Sequence, residues 1–344
     1  MYNKVVGNSV MIIGDLHFSD VFTGKHKAYL ENCFWCLSKI TKKLEEKKPA
    51  ALVLCGDIIG WTETNIRDRQ VFAMFCKILR DWNRICPVYA VRGNHDMKGY
   101  PDFQFLSEFE LIITSDACDG YFDYYANEEQ DVPEVRFHLV NYKEEDKALN
   151  LRTDGCSNIV IGHNNFTING ITTWYNSHDG IELGMMQNFC GVDMVISGHI
   201  HNPSPEIYAT QMPNGDSCML FYTGCPTRPI RDNNMYESCW YVFVEYNGES
   251  SDINTEEFKL KPSSEIFYSK EEFVDEKTEE EIDEELRKEA LKDVLGDLLK
   301  YRMNCADPIT QVERIPNASE EAKKIAVDYL QLAFNRGSQE VGNK

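Results

Sequence analysis

Seven residues of metal-binding type recur in this sequence behind one device. Gly14-Asp15-Leu16-His17, Gly56-Asp57, Gly93-Asn94-His95-Asp96, Gly162-His163 and Gly198-His199-Ile200-His201 each follow a short apolar run. The candidate ligands are Asp15, His17, Asp57, Asn94, His163, His199 and His201: four imidazoles, two carboxylates and an amide. One tetrahedral zinc needs only four ligands, commonly with cysteine among them. Seven mixed nitrogen and oxygen donors without cysteine suit two first-row divalent ions. Mn, Fe, Zn or Ni are favoured over Ca or Mg, which prefer oxygen alone. Two such ions about 3.5–4 Å apart can activate water and grip the nonbridging oxygens of a phosphate. Asp57 stands alone at a central strand end and is the natural bridging carboxylate.

Asp15 and His17 are two apart, so an extended segment presents both on one side. His199 and His201 repeat that spacing. His95 is left without a ligand position, which suits it to the substrate, as proton donor to a leaving oxygen or as a cation facing phosphate. Asp96 then serves to orient the His95 ring. Any one of these signals is ordinary, since Gly-Asp after a strand is often a turn and paired histidines are often surface residues. Five together, each after an apolar run, leave little room for coincidence. His26, His138 and His178 follow no such pattern and read as structural.

The elements that must carry these groups are strands. Apolar runs at 10–14, 51–55, 88–91, 159–161 and 194–197 read as buried strands. Residues 26–48 and 66–85 carry apolar residues at helical spacing between the first three, giving β-α-β-α-β with parallel pairing. Ligands gather at the carboxyl ends of such strands. The pattern weakens over 100–150, where 135–140 alternates as a strand. An Asn-rich segment spans 164–180, and 181–190 suggests a short helix. Residues 206–210, 218–223 and 240–246 read as antiparallel strands, with Pro213-Asn214-Gly215-Asp216 as a hairpin turn. The expected fold is α/β, a two-sheet sandwich flanked by helices, over residues 1–250. Residues 251–344 read as an acidic linker and a helical extension. There, 279–303 carries a wide apolar stripe, and a second helix starts at Asn317 with Glu320 completing a capping box. These helices could pack on the main domain or dock on another protein.

Composition narrows the classes. With 42% hydrophobic residues the chain supports a packed core. No run is long enough to span a bilayer, and no basic-then-apolar start marks a secretory signal. Twelve irregularly spaced cysteines, many in apolar runs, read as buried thiols in a reducing cytoplasm. Cys33 and Cys36 have redox-type spacing but read as helix packing. A net charge of −21 disfavours unassisted binding to a polyanion. Acid is concentrated in 127–146 and 271–289, however. Lys25, Lys27, Arg67, Arg69, Arg92, Lys98, Arg228 and Arg231 lie near the glycine-ended motifs.

With these residues in view, the sequence resembles the calcineurin-like metallophosphoesterases over roughly 8–245. The five motifs stand in that family's order. The resemblance implies a two-sheet sandwich with a dinuclear site, usually manganese or iron. By its pattern Asp15, His17, Asp57 and His201 hold one ion, Asp57, Asn94, His163 and His199 hold the other, and His95 is the catalytic histidine. Within the family the sequence looks most like the SbcD-type DNA-repair nucleases, including the small recombination nucleases of large phages. Motif spacing suggests this, as does Phe221-Tyr222-Thr223-Gly224-Cys225-Pro226-Thr227-Arg228, which is similar to their Tyr-Ser-Gly-Ser-Pro stretch. That likeness implies DNA as substrate, a homodimer, and an SbcC-type coiled-coil ATPase bound through the C-terminal helices, in a bacterial or phage-infected cell. The alternatives are a protein phosphatase or small-molecule phosphodiesterase of the same family, and a scaffold without catalysis. The complete ligand set with His95 argues against the scaffold.

Overall fold

The glycine-ended strands fall into two sheets that face each other. A computed structural model describes residues 2–20, 26–60, 66–98, 100–169, 180–229 and 236–268, all within one unit, Met1–Glu272. The expected C-terminal helices, Lys25, Arg231 and His178 lie outside the described residues. In chain order come β1 (Lys4–Val6), β2 (Ser9–Ile13), α1 (Tyr29–Lys47), β3 (Ala51–Leu54), α2 (Arg69–Asn83), β4 (Val88–Ala90), α3 (Asn94–Lys98), α4 (Tyr100–Glu108), β5 (Ile113–Thr114), β6 (Tyr121–Tyr125), β7 (Val135–Val140), β8 (Ser157–Gly162), β9 (Phe166–Thr167), β10 (Ile181–Glu182), β11 (Met194–Ser197), β12 (Tyr208–Gln211), β13 (Ser217–Tyr222), β14 (Ser238–Tyr246), β15 (Ser251–Lys259) and α5 (Ser263–Ile266). One sheet has the order β1-β6-β7-β8-β11-β13-β12 and the other β15-β14-β2-β3-β4-β5.

Side-chain alternation builds the layers. Val10 and Ile12 of β2 face inward with Val53, Phe122, Phe137, Ile159 and Ile196, forming the core between the sheets. Met11 and Ile13 face outward onto α1 and α2, joining Leu37, Ile40, Leu44, Phe75, Leu79 and Trp82. A strand buried on both faces reads as an unbroken apolar run, which is why these strands are plain in the sequence. The helices show one buried stripe each. On α1 it is Cys33, Cys36, Leu37, Ile40 and Leu44, and α2 is capped by Asp68, whose side chain accepts from the N–H of Gln70 and Val71. Cys33 and Cys36 are free and buried, as helix packing requires. Among the described residues no helix is long and apolar enough to cross a membrane.

Three local expectations change. Residues 181–190 form a short strand and two 3-10 turns instead of a helix. β13 pairs antiparallel with β12 across the expected hairpin, but parallel with β11 on its other side. β14 leaves that sheet and pairs antiparallel with β2 in the other. The acidic stretch after 250 begins with a strand, since β15 pairs with β14 along all nine residues. It is an edge strand, polar along most of its length, with Phe258 buried against α1 and Glu256 paired with Lys43 and Lys47 of that helix.

Phe122 lies between the sheets, stacked on Tyr89 at 4.0 Å and on Phe137 at 4.9 Å. Phe122→Ala should cost ~3–5 kcal/mol in urea unfolding. A loss below about 1 kcal/mol would place the inter-sheet core elsewhere.

Candidate metal centre

β2, β3 and β4 run parallel in one sheet, and β8 and β11 run parallel in the other. Their carboxyl ends converge, and the glycines make the convergence possible. A Cβ on Gly93 would lie 2.2 Å from Asp57 Oδ1 and 2.4 Å from Asp57 N. A Cβ on Gly198 would lie 2.5 Å from the Cys55 carbonyl and 2.6 Å from Asp15 Oδ1. Neither space admits a carbon atom. The loops that follow are strained as well. His17, Asp57 and His199 have φ of 43°, 47° and 74°, a left-handed region that non-glycine residues visit at a cost of about 1–3 kcal/mol each. Strain at three candidate ligands marks a place where geometry is set by chemistry.

All seven candidate ligands meet here. Asp57 Oδ2 is 3.6 Å from His17 Nε2 and 3.1 Å from His163 Nε2. His17 Nε2 is 3.0 Å from His201 Nε2. Asn94 Oδ1 sits 3.2 Å from His163 Nε2 and 3.0 Å from His199 Nδ1. Asp15 Oδ1 accepts from the His199 N–H at 3.1 Å and lies 3.2 Å from His163 Nδ1. Asp57 thus touches two groups of imidazoles, one holding His17 and the other His163. Asp15, His17, Asp57 and His163 are sealed from solvent, while Asn94, His95, His199 and His201 are half-buried and form the open side.

Second partners orient the imidazoles. His17 Nδ1 lies 2.9 Å from the Gly60 carbonyl, and His163 Nδ1 lies 2.6 Å from the Cys55 carbonyl. A carbonyl only accepts, so each Nδ1 carries the proton toward it and Nε2 faces the site. The loop of Asp15–His17 is clamped from behind. Tyr29 Oη donates to the His17 carbonyl, Thr227 Oγ1 to the Leu16 carbonyl and Cys225 Sγ to the Asp15 carbonyl. The Phe221–Arg228 segment therefore seats the first motif.

The electrostatics call for added positive charge. Burial alone would raise Asp57, but His163, His17 and His95 outweigh it and hold its carboxyl well below the usual range. Burial pushes Asp15 up to about 7, opposed by His163 and reinforced by Asp57. Burial would lower His163, yet Asp57 and Asp15 carry it to about 9. Burial brings His17 and His199 down to about 4 and holds His201 well below the usual imidazole value, so these three are neutral near pH 7. Asp15 Oδ2 is buried with no hydrogen-bond partner. A buried anionic oxygen left so is costly, and neutral His17, with its proton on Nδ1, presents the bare Nε2 toward Asp57. Imidazole, carboxylate and amide donors in this arrangement fit a pair of divalent cations sharing Asp57. Ligand atoms of Asp15, Asp57 and His163 fall within 4.8 Å of one another, as do those of His17, Asp57 and His95.

His95 and Asp96 open α3. The His95 N–H donates to Asp57 Oδ1 at 2.8 Å, and its ring packs edge-on to His17, with centroids 5.0 Å apart. Asp96 has a different task from the one expected. Its Oδ1 accepts from the N–H of Ile58 and Ile59, and its Oδ2 from that of Gly93. It ties the Asp57 loop to the Asn94 loop, and its effect on His95 runs through the backbone. The basic residues near the motifs are also more engaged than their count suggests. Arg69 pairs with Asp102, Arg92 with Glu144, and Arg228 is buried with Nε donating to the Lys261 carbonyl.

The calcineurin-like phosphoesterase family profile matches residues 9–203, more than half of the chain. The chain belongs to the calcineurin-like phosphoesterases. The match takes in the strands that carry all seven candidate ligands. No curated protein matches it. Three similar solved structures are a Staphylococcus aureus protein assigned as a 5′-nucleotidase, the Pseudomonas putida nuclease MPE, and Vps29 of Entamoeba histolytica. Identities are 11%, 14% and 12%, with TM-scores of 0.39, 0.26 and 0.32. The matches cover 81%, 47% and 73% of this chain, and 57%, 64% and 99% of those chains. The chain thus spans under two thirds of the first two. None of the three carries a substrate over to this phosphoesterase.

One neighbour of the centre is invisible in the motif pattern. Tyr142 follows β7, with its ring centroid 5.6 Å from that of His199 and 6.3 Å from that of His163. Its strand end carries asparagine where the others carry glycine, so the shared signal is missing.

The glycine geometry is open to test. Gly93→Ala should lower unfolding stability in chelator by ~1–3 kcal/mol. Gly162→Ala should cost less, because the nearest atom its Cβ would meet is the Phe166 ring edge, at 3.2 Å. Equal losses would show that the strand ends do not converge this tightly.

Proposed function

We propose that the protein is a two-metal phosphodiester hydrolase acting on DNA, a nuclease subunit of the SbcD type. The observation that carries the hydrolase part is Asp57 Oδ2, placed between His17 Nε2 and His163 Nε2. Asp15, His17, Asp57 and His201 would hold one ion, and Asp57, Asn94, His163 and His199 the other. Manganese suits this donor set. When bound, the ions supply a nucleophile from water at neutral pH and offset phosphate charge. His95, half-buried at the open side, faces the substrate and gives a proton to the leaving alkoxide as the P–O bond breaks. Asp57 holds the His95 backbone, and Asp96 holds the loops of both.

The DNA reading is supported by the motif spacing and by the Phe221–Arg228 segment clamping the first motif. The net charge of −21 points to a partner that brings the polyanion to the site. In this reading the residues after Glu272, beyond the unit that contains β15, are the capping and partner-binding region. An SbcC-type coiled-coil ATPase docks on the helices expected at 279–334, and the complex works as a homodimer. A protein phosphatase or small-molecule phosphodiesterase would use the same centre and differ in what sits at the open side.

The test is hydrolysis by the full-length protein with manganese of linear DNA and of bis-4-nitrophenyl phosphate. Both should be cleaved. His95→Ala should keep metal binding and lose ~10²–10⁴-fold in kcat, while Asp57→Ala should lose metal and activity together. Hydrolysis of the small ester with DNA left intact, even beside the ATPase, would sink the nuclease reading. Activity surviving both substitutions would sink the site.

A further inference from the structure

β7 is the neighbour of β8, parallel and in register from Val135↔Ser157 to Val140↔Gly162, and β11 ends level with them at Ser197↔Gly162. Three adjacent parallel strands therefore open at one rim. β8 delivers His163 and β11 delivers His199. β7 delivers Asn141-Tyr142-Lys143-Glu144, which contains no ligand in the set above.

This loop is held as firmly as the ligand loops. Asn141 Oδ1 accepts from the Arg92 N–H at 2.8 Å, and the Tyr142 N–H donates to the Arg92 carbonyl at 2.9 Å. Arg92 immediately precedes Gly93-Asn94-His95. The Lys143 N–H donates to Asn164 Oδ1 at 2.9 Å, and Asn164 immediately follows His163. The loop is thus fixed to two motifs, and Lys143 accepts a left-handed φ of 61° to stay there. Tyr142 stands half-buried beside His199, on the open side of the centre. Lys143 is exposed, with Nζ 5.4 Å above the Tyr142 ring. The nearest acid in sequence, Glu144, is already engaged by Arg92 at 3.3 Å, by Lys147 at 2.8 Å and by Asn141 at 2.9 Å. Among the described residues no carboxylate forms an ion pair with Lys143. In a chain this acidic, a cation with no carboxylate partner among the described residues, held over an aromatic ring at the rim of the candidate metal centre, is a specific feature.

We infer that Tyr142 and Lys143 form a substrate subsite for the nucleotide unit next to the scissile phosphate, Tyr142 stacking on its base and Lys143 binding the adjoining phosphate. The inference rests on the phosphodiesterase reading above and narrows it to substrates that carry a base and a further phosphate. An incoming base takes the ring face now covered by the lysine, and the lysine swings to phosphate. Aromatic stacking of this kind is sequence-tolerant, since every base offers a π-face.

The test compares two esters with the same 4-nitrophenolate leaving group, thymidine 5′-(4-nitrophenyl phosphate) and methyl 4-nitrophenyl phosphate, using the full-length protein and manganese. The wild-type protein should favour the nucleoside ester in kcat/KM. Tyr142→Ala should reduce that preference about ten-fold, mainly through KM, and Tyr142→Phe should retain it. Lys143→Ala should lower the slope of log affinity against log salt for an oligothymidylate strand by about one. A wild-type protein that cleaves both esters equally, a preference unchanged in Tyr142→Ala, or a Tyr142→Phe variant as impaired as Tyr142→Ala would overturn the subsite and leave the hydrolase reading standing. A wild-type protein that cleaves neither ester would overturn both.

Discussion

The structure depends on bringing two buried carboxylates and His163 within 4.8 Å of one another, with further imidazoles beside them, at the meeting point of two sheets. Asp57 is the centre of that arrangement, 3.1 Å from His163 and 3.6 Å from His17. Like charges and facing lone pairs repel at such range, and burial removes the water that would screen them. The protein reaches this geometry through backbone placement. Strand ends approach closely enough to exclude a Cβ at Gly93 and Gly198. Three candidate ligands accept left-handed backbone, and Asp96 binds two loops together through three amides. Some stability is spent to hold a site that is electrostatically incomplete without cations, as functional sites often do.

The two-sheet architecture follows from the same need. One sheet alone presents a single row of strand ends. Here β2, β3 and β4 supply Asp15, His17, Asp57, Asn94 and His95, while β8 and β11 supply His163, His199 and His201. The stacked rings of Tyr89, Phe122 and Phe137 hold the sheets face to face. Packing in the core between the sheets thereby sets distances at the rim. Removing the separation between structural and chemical residues also explains the Phe221–Arg228 segment. It continues from the interior strand β13 and, through Thr227 and Cys225, fixes the carbonyls of Leu16 and Asp15.

Much of this was legible in the sequence, for physical reasons. Strands buried on both faces are continuous apolar runs, and a glycine followed by a ligand is forced wherever backbones nearly touch. The seven candidate positions, which the structure brings together, and the α/β sandwich rest on those two facts. What escaped depends on tertiary partners. The acidic stretch 251–259 is polar because β15 is a sheet edge, which composition alone does not distinguish from a linker. The sheet exchange of β14 is set by pairing with β2, far away in sequence. Asp96 sits beside His95 in the chain, yet its oxygens turn to backbone amides on another loop. Tyr142 reaches the site without a glycine, since its strand end lies at the rim's margin, where crowding is less severe.

The central claim is that Asp57 is shared by two cations. Manganese titration of the full-length protein, followed by electron paramagnetic resonance, addresses it directly. The account predicts two manganese ions per chain and a spin-coupled pair signal that Asp57→Asn converts to isolated ions or abolishes. A single uncoupled ion at saturation in the unsubstituted protein would contradict it.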